Sequence, residues 1–130
     1  MTTLVPAFRP ILELEIAVDP PLSVGASAAG EVRVIPFRGG TFAGAELSGR
    51  VLAGGADWQE IRSDGVRSGP PDVLARLGRG ELLPASAYYF RTAIRLRTAS
   101  PRLARLNDVL AFSIGERFAE GVRLALYELL

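Results

Sequence analysis

Apolar and polar residues alternate along much of the chain, and this alternation predicts β-strands. The clearest case is residues 11–18, where leucine, isoleucine or valine occupies every second position and Glu13 and Glu15 lie between them. A period of two places one side of a strand in the core and the other toward solvent. Shorter segments of the same kind, bounded by turn residues, predict further strands. These are residues 31–35, 46–52, 57–62, 88–98, 109–115 and 122–129.

Proline and glycine positions predict where these elements end. Pro36, followed by Gly39 and Gly40, is expected to end the second predicted strand. The pair at residues 64–65 is Asp-Gly, a strong hairpin-turn signal. One helix is predicted over residues 71–77, because prolines suit its first turn and Gly78 suits its C-terminal end.

Regularly spaced short strands with one short helix predict a mainly β fold. We expect an antiparallel β-barrel or barrel-like sheet that forms a single domain over residues 1–130. Closure of such a sheet requires the first strand, residues 11–18, to lie beside the last, residues 122–129.

Charge and hydropathy narrow the expected partners and location. The formal net charge is +1 and there is no run of basic residues, so we expect no nucleic-acid partner and no binding to anionic membranes. The first residues lack the pattern of a signal peptide, and no apolar run approaches the roughly 20 residues of a membrane helix. The expected location is therefore cytoplasmic.

Three missing residue types exclude several chemistries. The chain contains no His, no Cys and no Lys, and every basic side chain is Arg. The usual zinc sites, Ser-His-Asp or Cys-His nucleophiles, Schiff-base lysines and the P-loop lysine are therefore excluded. We expect no metal and no cofactor, so any catalysis depends on Asp, Glu, Tyr, Arg or a hydroxyl group.

The order of several short motifs resembles a known family. The motifs are 39–44 (GGTFAG), 47–52 (LSGRVL), 54–59 (GGADWQ), 69–71 (GPP), 88–91 (YYFR), 106–107 (LN) and 127–128 (YE). Together they resemble the bacterial and fungal domain of unknown function 3237. The resemblance implies an antiparallel β-barrel whose central cavity has a polar mouth, but it implies no established biochemical role.

The chain departs from that family pattern in two places. The family normally carries a further pair of strands after the turn at Asp64 and Gly65, whereas here the chain runs almost directly into Pro70 and Pro71. A shortened barrel of this kind has open sheet edges, and from these we predict a homodimer. Arg105 also stands where the family tends to have an aromatic residue.

Asp57 and Trp58 follow a glycine turn and form the first candidate site. One interpretation is a carboxylate at the barrel mouth that lies against an indole and accepts a proton or a substrate hydroxyl. The alternative is that Asp57 caps the turn and Trp58 fills the end of the barrel.

Tyr89 and Arg91 share one face of a predicted strand, and Asn107 follows a turn. If the shared face points inward, the phenol and the guanidinium suit a carboxylate or an enolate. If it points outward, they belong to a solvated stripe with Arg95 and Arg97. Asn107 either binds a ligand carbonyl or holds its own loop.

Two functions remain open from the sequence. In the first, the barrel binds an apolar carbonyl compound, either as a binding protein or as a cofactor-free lyase or isomerase. Asp57 accepts the proton, Tyr89 and Arg91 polarise the carbonyl, and Phe42 and Trp58 stack on the substrate. In this account the distant polar residues, Asn107 included, converge on one pocket. In the second, a non-catalytic domain pairs through its open sheet edges with another copy or another chain.

Overall fold

A computed structural model of the protein describes residues 4–28, 30–60 and 65–130. Within these residues the chain forms nine strands, one α-helix (α1, Pro71–Gly78) and two 3₁₀ segments (Ala85–Ala87 and Pro101–Asp108). The strands are β1 (Phe8–Val18), β2 (Leu22–Ser27), β3 (Gly30–Gly44), β4 (Ser48–Val51), β5 (Ala56–Glu60), β6 (Gly65–Ser68), β7 (Tyr89–Ile94), β8 (Ala111–Phe118) and β9 (Gly121–Leu129).

The strands form one curled antiparallel sheet, and the predicted mainly β, barrel-like fold is confirmed. Their order is β2-β3-β1-β9-β8-β7-β6, and β4 and β5 both pair with β3. The curl amounts to a half-barrel. The first and last strands pair as predicted, from Phe8 opposite Leu129 to Ala17 opposite Gly121.

The predicted end of the second strand is wrong, because β3 continues through Pro36, Gly39 and Gly40. Its register with β1 shifts opposite Ala17 and Val18, which leaves one extra residue in β3. Gly39 has a φ of +128°, a conformation that suits glycine at such a bulge. The bulge bends β3, so that its first part pairs with β2 and β5 and its second part with β1 and β4.

Further differences concern short elements. β2 and the 3₁₀ segment Pro101–Asp108 were not predicted. Asp64 of the predicted hairpin turn lies outside the described residues, and Gly65 belongs to a strand instead of a turn, because it begins β6 and pairs with Thr92 of β7. β7 also ends at Ile94, earlier than the predicted strand.

The core lies on the inner face of the curl, at the end that the 3₁₀ segment Pro101–Asp108 covers. Its buried side chains are Ile11, Leu106, Ala111 and Leu126. They come from β1, the 3₁₀ segment, β8 and β9, so the segment packs across the adjoining strands. This packing closes one end of the half-barrel.

Arg117 links the sheet to α1 near the other end. Its guanidinium donates a hydrogen bond to the backbone oxygen of Leu77 (3.1 Å), and the Leu77 side chain is fully buried. Its backbone amide donates to the hydroxyl of the buried Tyr88 (2.9 Å). The centre of the inner face lies between these two contacts and the core.

Candidate functional site

The centre of the inner face carries a row of apolar residues that crosses five strands. The row begins with Phe42 of β3, which lies opposite Leu14 of β1, and Leu14 in turn lies opposite Leu124 of β9. Leu124 lies opposite Gly115 of β8, and the Phe90 ring of β7 lies beside Gly115. The four side chains of this row are only half-buried. We call these five residues the inner trough, because they form an apolar floor that solvent still reaches.

Two glycines create the space that the aromatic rings of the inner trough occupy. A Cβ on Gly115 would lie 2.6 Å from Cδ1 of Phe90, and a Cβ on Gly49 would lie 2.8 Å from Cζ of Phe42. The rings therefore fill space in which other residues would have a side chain. As a result the inner trough has an aromatic ring near each end and leucines between them.

Thr92 and Ser113 place a pair of hydroxyl groups beside the inner trough. The two residues lie opposite each other on β7 and β8, and their hydroxyls are hydrogen-bonded. Ser113 is fully buried, whereas Thr92 is half-buried. Two hydroxyls have two protons, and their mutual bond uses one, so the pair can donate the other to a ligand oxygen. Sequence analysis missed this pair, although Thr92 alternates with Phe90 on the same strand face.

The structure places Phe42 on the inner face and Tyr89 and Arg91 on the outer face. Arg91 lies opposite Ile114, its guanidinium carbon is 4.7 Å from the centre of the Tyr89 ring, and Nη1 donates to the Phe90 oxygen (2.9 Å). The structure therefore agrees with the alternative in which the strand face shared by Tyr89 and Arg91 points outward. The sheet itself separates them from Phe42, so the inner trough does not include them.

Asn107 holds its own loop. Its Oδ1 accepts a hydrogen bond from the Thr98 amide (2.8 Å), and its Nδ2 donates to the Thr98 oxygen (3.0 Å). These residues, with Arg97 and Ala99, line a wide-open depression of about 520 Å³. Both polar atoms of the amide bond Thr98, which is the loop-holding alternative for Asn107.

Asp57 and Trp58 can be placed only by their backbone. In β5 they lie opposite Ile35 and Val34 of β3. Their side chains lie outside the described part of the structure. The convergence of Asp57 and Trp58 with other candidate residues therefore stays a prediction.

Glu128 is a buried charge that sequence analysis did not find. Its side chain is on the inner face, opposite Ala111, and the residue is 1% exposed. The carboxylate accepts hydrogen bonds from Arg9 and from Arg105 (2.8 Å), and Arg105 also binds Glu46 (2.8 Å). Burial raises the pKa of Glu128, but the bonds from the two arginines outweigh it and hold the pKa below its usual value. A carboxylate engaged in this way is suited to stability rather than to proton transfer.

Two structural observations concern metal ions and membranes. Among the described residues no group of three or more acidic side chains is placed to hold a metal ion. In the same part of the chain no helix has the length and apolar character needed to cross a membrane.

Comparison with known proteins identifies the family of this chain. The family described as protein of unknown function (DUF3237) matches residues 6–66 and 60–129. The chain belongs to the DUF3237 family. A UPF0311 protein of Rhodopseudomonas palustris, RPA1785, is 31% identical to this DUF3237 protein over 132 residues, which cover 83% of this chain and 86% of the relative.

Solved structures are similar over almost the whole DUF3237 chain. The crystal structure of the Rhodopseudomonas palustris protein has a TM-score of 0.86 and 27% identity and covers 99% of this chain and 100% of its own. A beta-barrel like protein from Acinetobacter baumannii has a TM-score of 0.77 and 27% identity and covers 99% of both chains. An enzyme from Penicillium herquei, with a TM-score of 0.62, 16% identity and coverage of 100% and 98%, shares the fold.

Proposed function

We propose that this DUF3237 protein binds an apolar small molecule with a carbonyl group in the inner trough. The supporting observation is that an aromatic and aliphatic floor, formed around Phe42, Leu124 and Phe90, stays half-buried beside the Thr92–Ser113 hydroxyl pair. Ligand sites are typically apolar concavities with a few placed polar groups. The hydroxyl pair has a proton to donate, so it favours a ligand with an acceptor oxygen.

A ketone and its matched hydrocarbon test the polar part of this proposal. We expect acetophenone to bind about 3- to 10-fold more tightly than ethylbenzene, because a net hydrogen bond contributes about 0.5–1.5 kcal/mol. Thr92→Val keeps the shape of the side chain but removes its hydroxyl, and it should abolish that preference. Both affinities are measured by NMR titration.

Thr41→Val is the matched control, because Thr41 lies on the outer face opposite Glu15. This variant should keep the preference for the ketone. Absence of binding by both compounds would refute the site. Binding with an unchanged ketone preference in Thr92→Val would show that the hydroxyl pair is not the group that recognises the ligand.

A more specific hypothesis is that the protein also catalyses a reaction of the bound carbonyl compound, with Asp57 as the proton acceptor. A cofactor-free lyase or isomerase would transfer the α-proton of a carbonyl compound to the Asp57 carboxylate while the Thr92 hydroxyl stabilises the enolate oxygen. Trp58 would supply an aromatic wall. The Penicillium herquei protein, described as an enzyme, supports the idea that this fold is compatible with catalysis.

Deuterium exchange separates catalysis from binding. In D₂O the wild-type protein should exchange the methyl protons of acetophenone for deuterium. The Asp57 carboxylate takes a methyl proton, the resulting carboxyl exchanges this proton with D₂O, and the deuterated carboxyl returns a deuteron to the enolate carbon. Asp57→Asn should stop the protein-dependent exchange and leave acetophenone affinity unchanged. Asp72→Asn, in the first turn of α1, is the control and should exchange normally. Exchange at the wild-type rate in Asp57→Asn would exclude this role for Asp57.

A further inference from the structure

The outer face of the sheet carries an apolar patch that the described part of the chain leaves uncovered. The Phe112 and Tyr127 rings stack with centres 5.5 Å apart, and Phe8 meets Phe112 edge-on at 4.9 Å. Ile114 and Ala125 lie next to them along β8 and β9, and Ile114 is 36% exposed. We call these five residues the outer patch. Contiguous apolar surface of this kind is typical of association sites.

The outer patch lies between two opposite charges. Register aligns Glu13, Ala125, Ile114 and Arg91 in one row across β1, β9, β8 and β7. Glu13 is exposed, and among the described residues it forms no ion pair. The Arg91 guanidinium contacts the Tyr89 ring and the Phe90 oxygen, and within that same part of the chain it meets no carboxylate.

The spacing of this row prevents its two charges from pairing within one chain. Adjacent strands are about 4.8 Å apart, so three intervals separate Glu13 from Arg91 by about 14 Å. The residues between them, Ala125 and Ile114, are smaller than those at the ends. The outer face of a curled sheet is convex, so small residues at its centre allow close approach and long side chains at its margins can reach across the wider gap.

We propose that two copies of this chain associate through their outer faces, about a two-fold axis parallel to the strands between β8 and β9. The axis places Glu13 of one copy opposite Arg91 of the partner subunit, and the same contact recurs on the other side. It also places Phe112 opposite Tyr127 of the partner subunit. A two-fold interface requires a surface that is complementary to itself, and this row meets that requirement in charge and in size.

The neighbouring row on the outer face fits the same axis. Arg123 of β9 and Glu116 of β8 lie opposite each other and form an ion pair (2.8 Å). The two-fold rotation brings Arg123 of one copy over Glu116 of the other, so this polar margin is complementary as well. The association uses the face of the sheet and leaves its edges at β2 and β6 free, which distinguishes it from pairing through open edges.

Sedimentation of charge-reversed variants tests the axis directly. Wild-type protein should sediment as a dimer at about 10 to 200 µM, with a concentration-dependent approach to monomer on dilution. Glu13→Arg and Arg91→Glu should each weaken dimerisation by at least about tenfold, because like charges then oppose each other. The double variant, which exchanges the two charges, should restore the wild-type dissociation constant.

Two further variants complete the test. Ile114→Glu places a charge beside the axis and should yield a monomer with wild-type circular dichroism, since Ile114 is already partly exposed. Its melting temperature should equal that of wild-type protein at concentrations at which the wild-type protein is also monomeric. Arg102→Glu is the control for a charge reversal at an exposed position away from the outer face, in the 3₁₀ segment that covers the inner face, and it should leave the dimer intact. A wild-type protein that stays monomeric at about 200 µM, or a double variant that remains as weak as the single ones, would overturn the proposal.

Discussion

Replacing Glu128 with glutamine is expected to lower the free energy of unfolding by about 2–3 kcal/mol. Removing one member of a fully buried ion pair typically costs more, about 3–5 kcal/mol. Glutamine keeps the shape of the side chain, but its NH₂ group then faces an arginine that is also a donor. We expect a smaller loss for Glu128→Gln because the side chains of Arg9 and Arg105 are 55% and 41% exposed, so water can solvate the two arginines once the carboxylate is gone. Urea denaturation at neutral pH measures the difference.

The same variant should alter the dependence of stability on pH. The arginines hold the pKa of Glu128 in the folded state below its usual value of 4.5, so its contribution is fully present above the unfolded-state pKa. That contribution is lost as the pH falls through the folded-state pKa, so wild-type protein should lose stability below about pH 5. Glu128→Gln should lose less over this range. Glu81→Gln, whose carboxylate pairs with exposed Arg76, is the control and should change little. Equal stability of Glu128→Gln and wild-type protein would contradict this account.

Gly121→Ala is expected to destabilise the fold by about 3 kcal/mol or more, at or beyond the usual upper end for overpacking. Gly121 begins β9, and a Cβ there would overlap the Ile16 oxygen and lie 2.8 Å from the Ile16 carbonyl carbon. The atoms in its way belong to the backbone of β1, so relief requires β1 and β9 to separate. Thermal and urea unfolding of the variant measure the loss.

Gly78→Ala is the matched control for this substitution. Gly78 ends α1, and an added Cβ would meet nothing within 4 Å. Alanine is also a better helix former than glycine, so this variant should be as stable as wild-type protein or slightly more so. If Gly121→Ala were as stable as Gly78→Ala, the close approach of β1 and β9 at this point would be wrong.

The alternation of apolar and polar residues predicted the strands whose two faces differ most. The prediction failed where a strand bends. β1 and β9 alternate because one face of each lies in the core, and they pair as predicted, although in the middle of the strand order rather than where a barrel would close. β3 escaped prediction as a single strand because its bulge lets Pro36 and Gly39 remain in the sheet. A bulge depends on the register of the neighbouring strand, which local sequence does not specify.

The candidate site was only partly predictable for the same reason. Alternation separated Phe90 and Thr92 from Tyr89 and Arg91, but only tertiary packing decides which of the two faces points inward. Glu128 entered the sequence analysis only as part of the motif at residues 127–128, because the arginine that binds it from β1 lies 119 residues away in sequence. Such non-local partners carry no local sequence signal.

Methyl NMR with acetophenone tests the proposed binding surface most directly, because the two sheet faces serve as each other's control. The methyl groups of Leu14 and Leu124 report on the inner trough, and that of Ile114 reports on the outer patch. We predict saturable shifts at the two leucines and no shift at Ile114. Shifts confined to Ile114, or none at either face, would contradict a binding site in the inner trough.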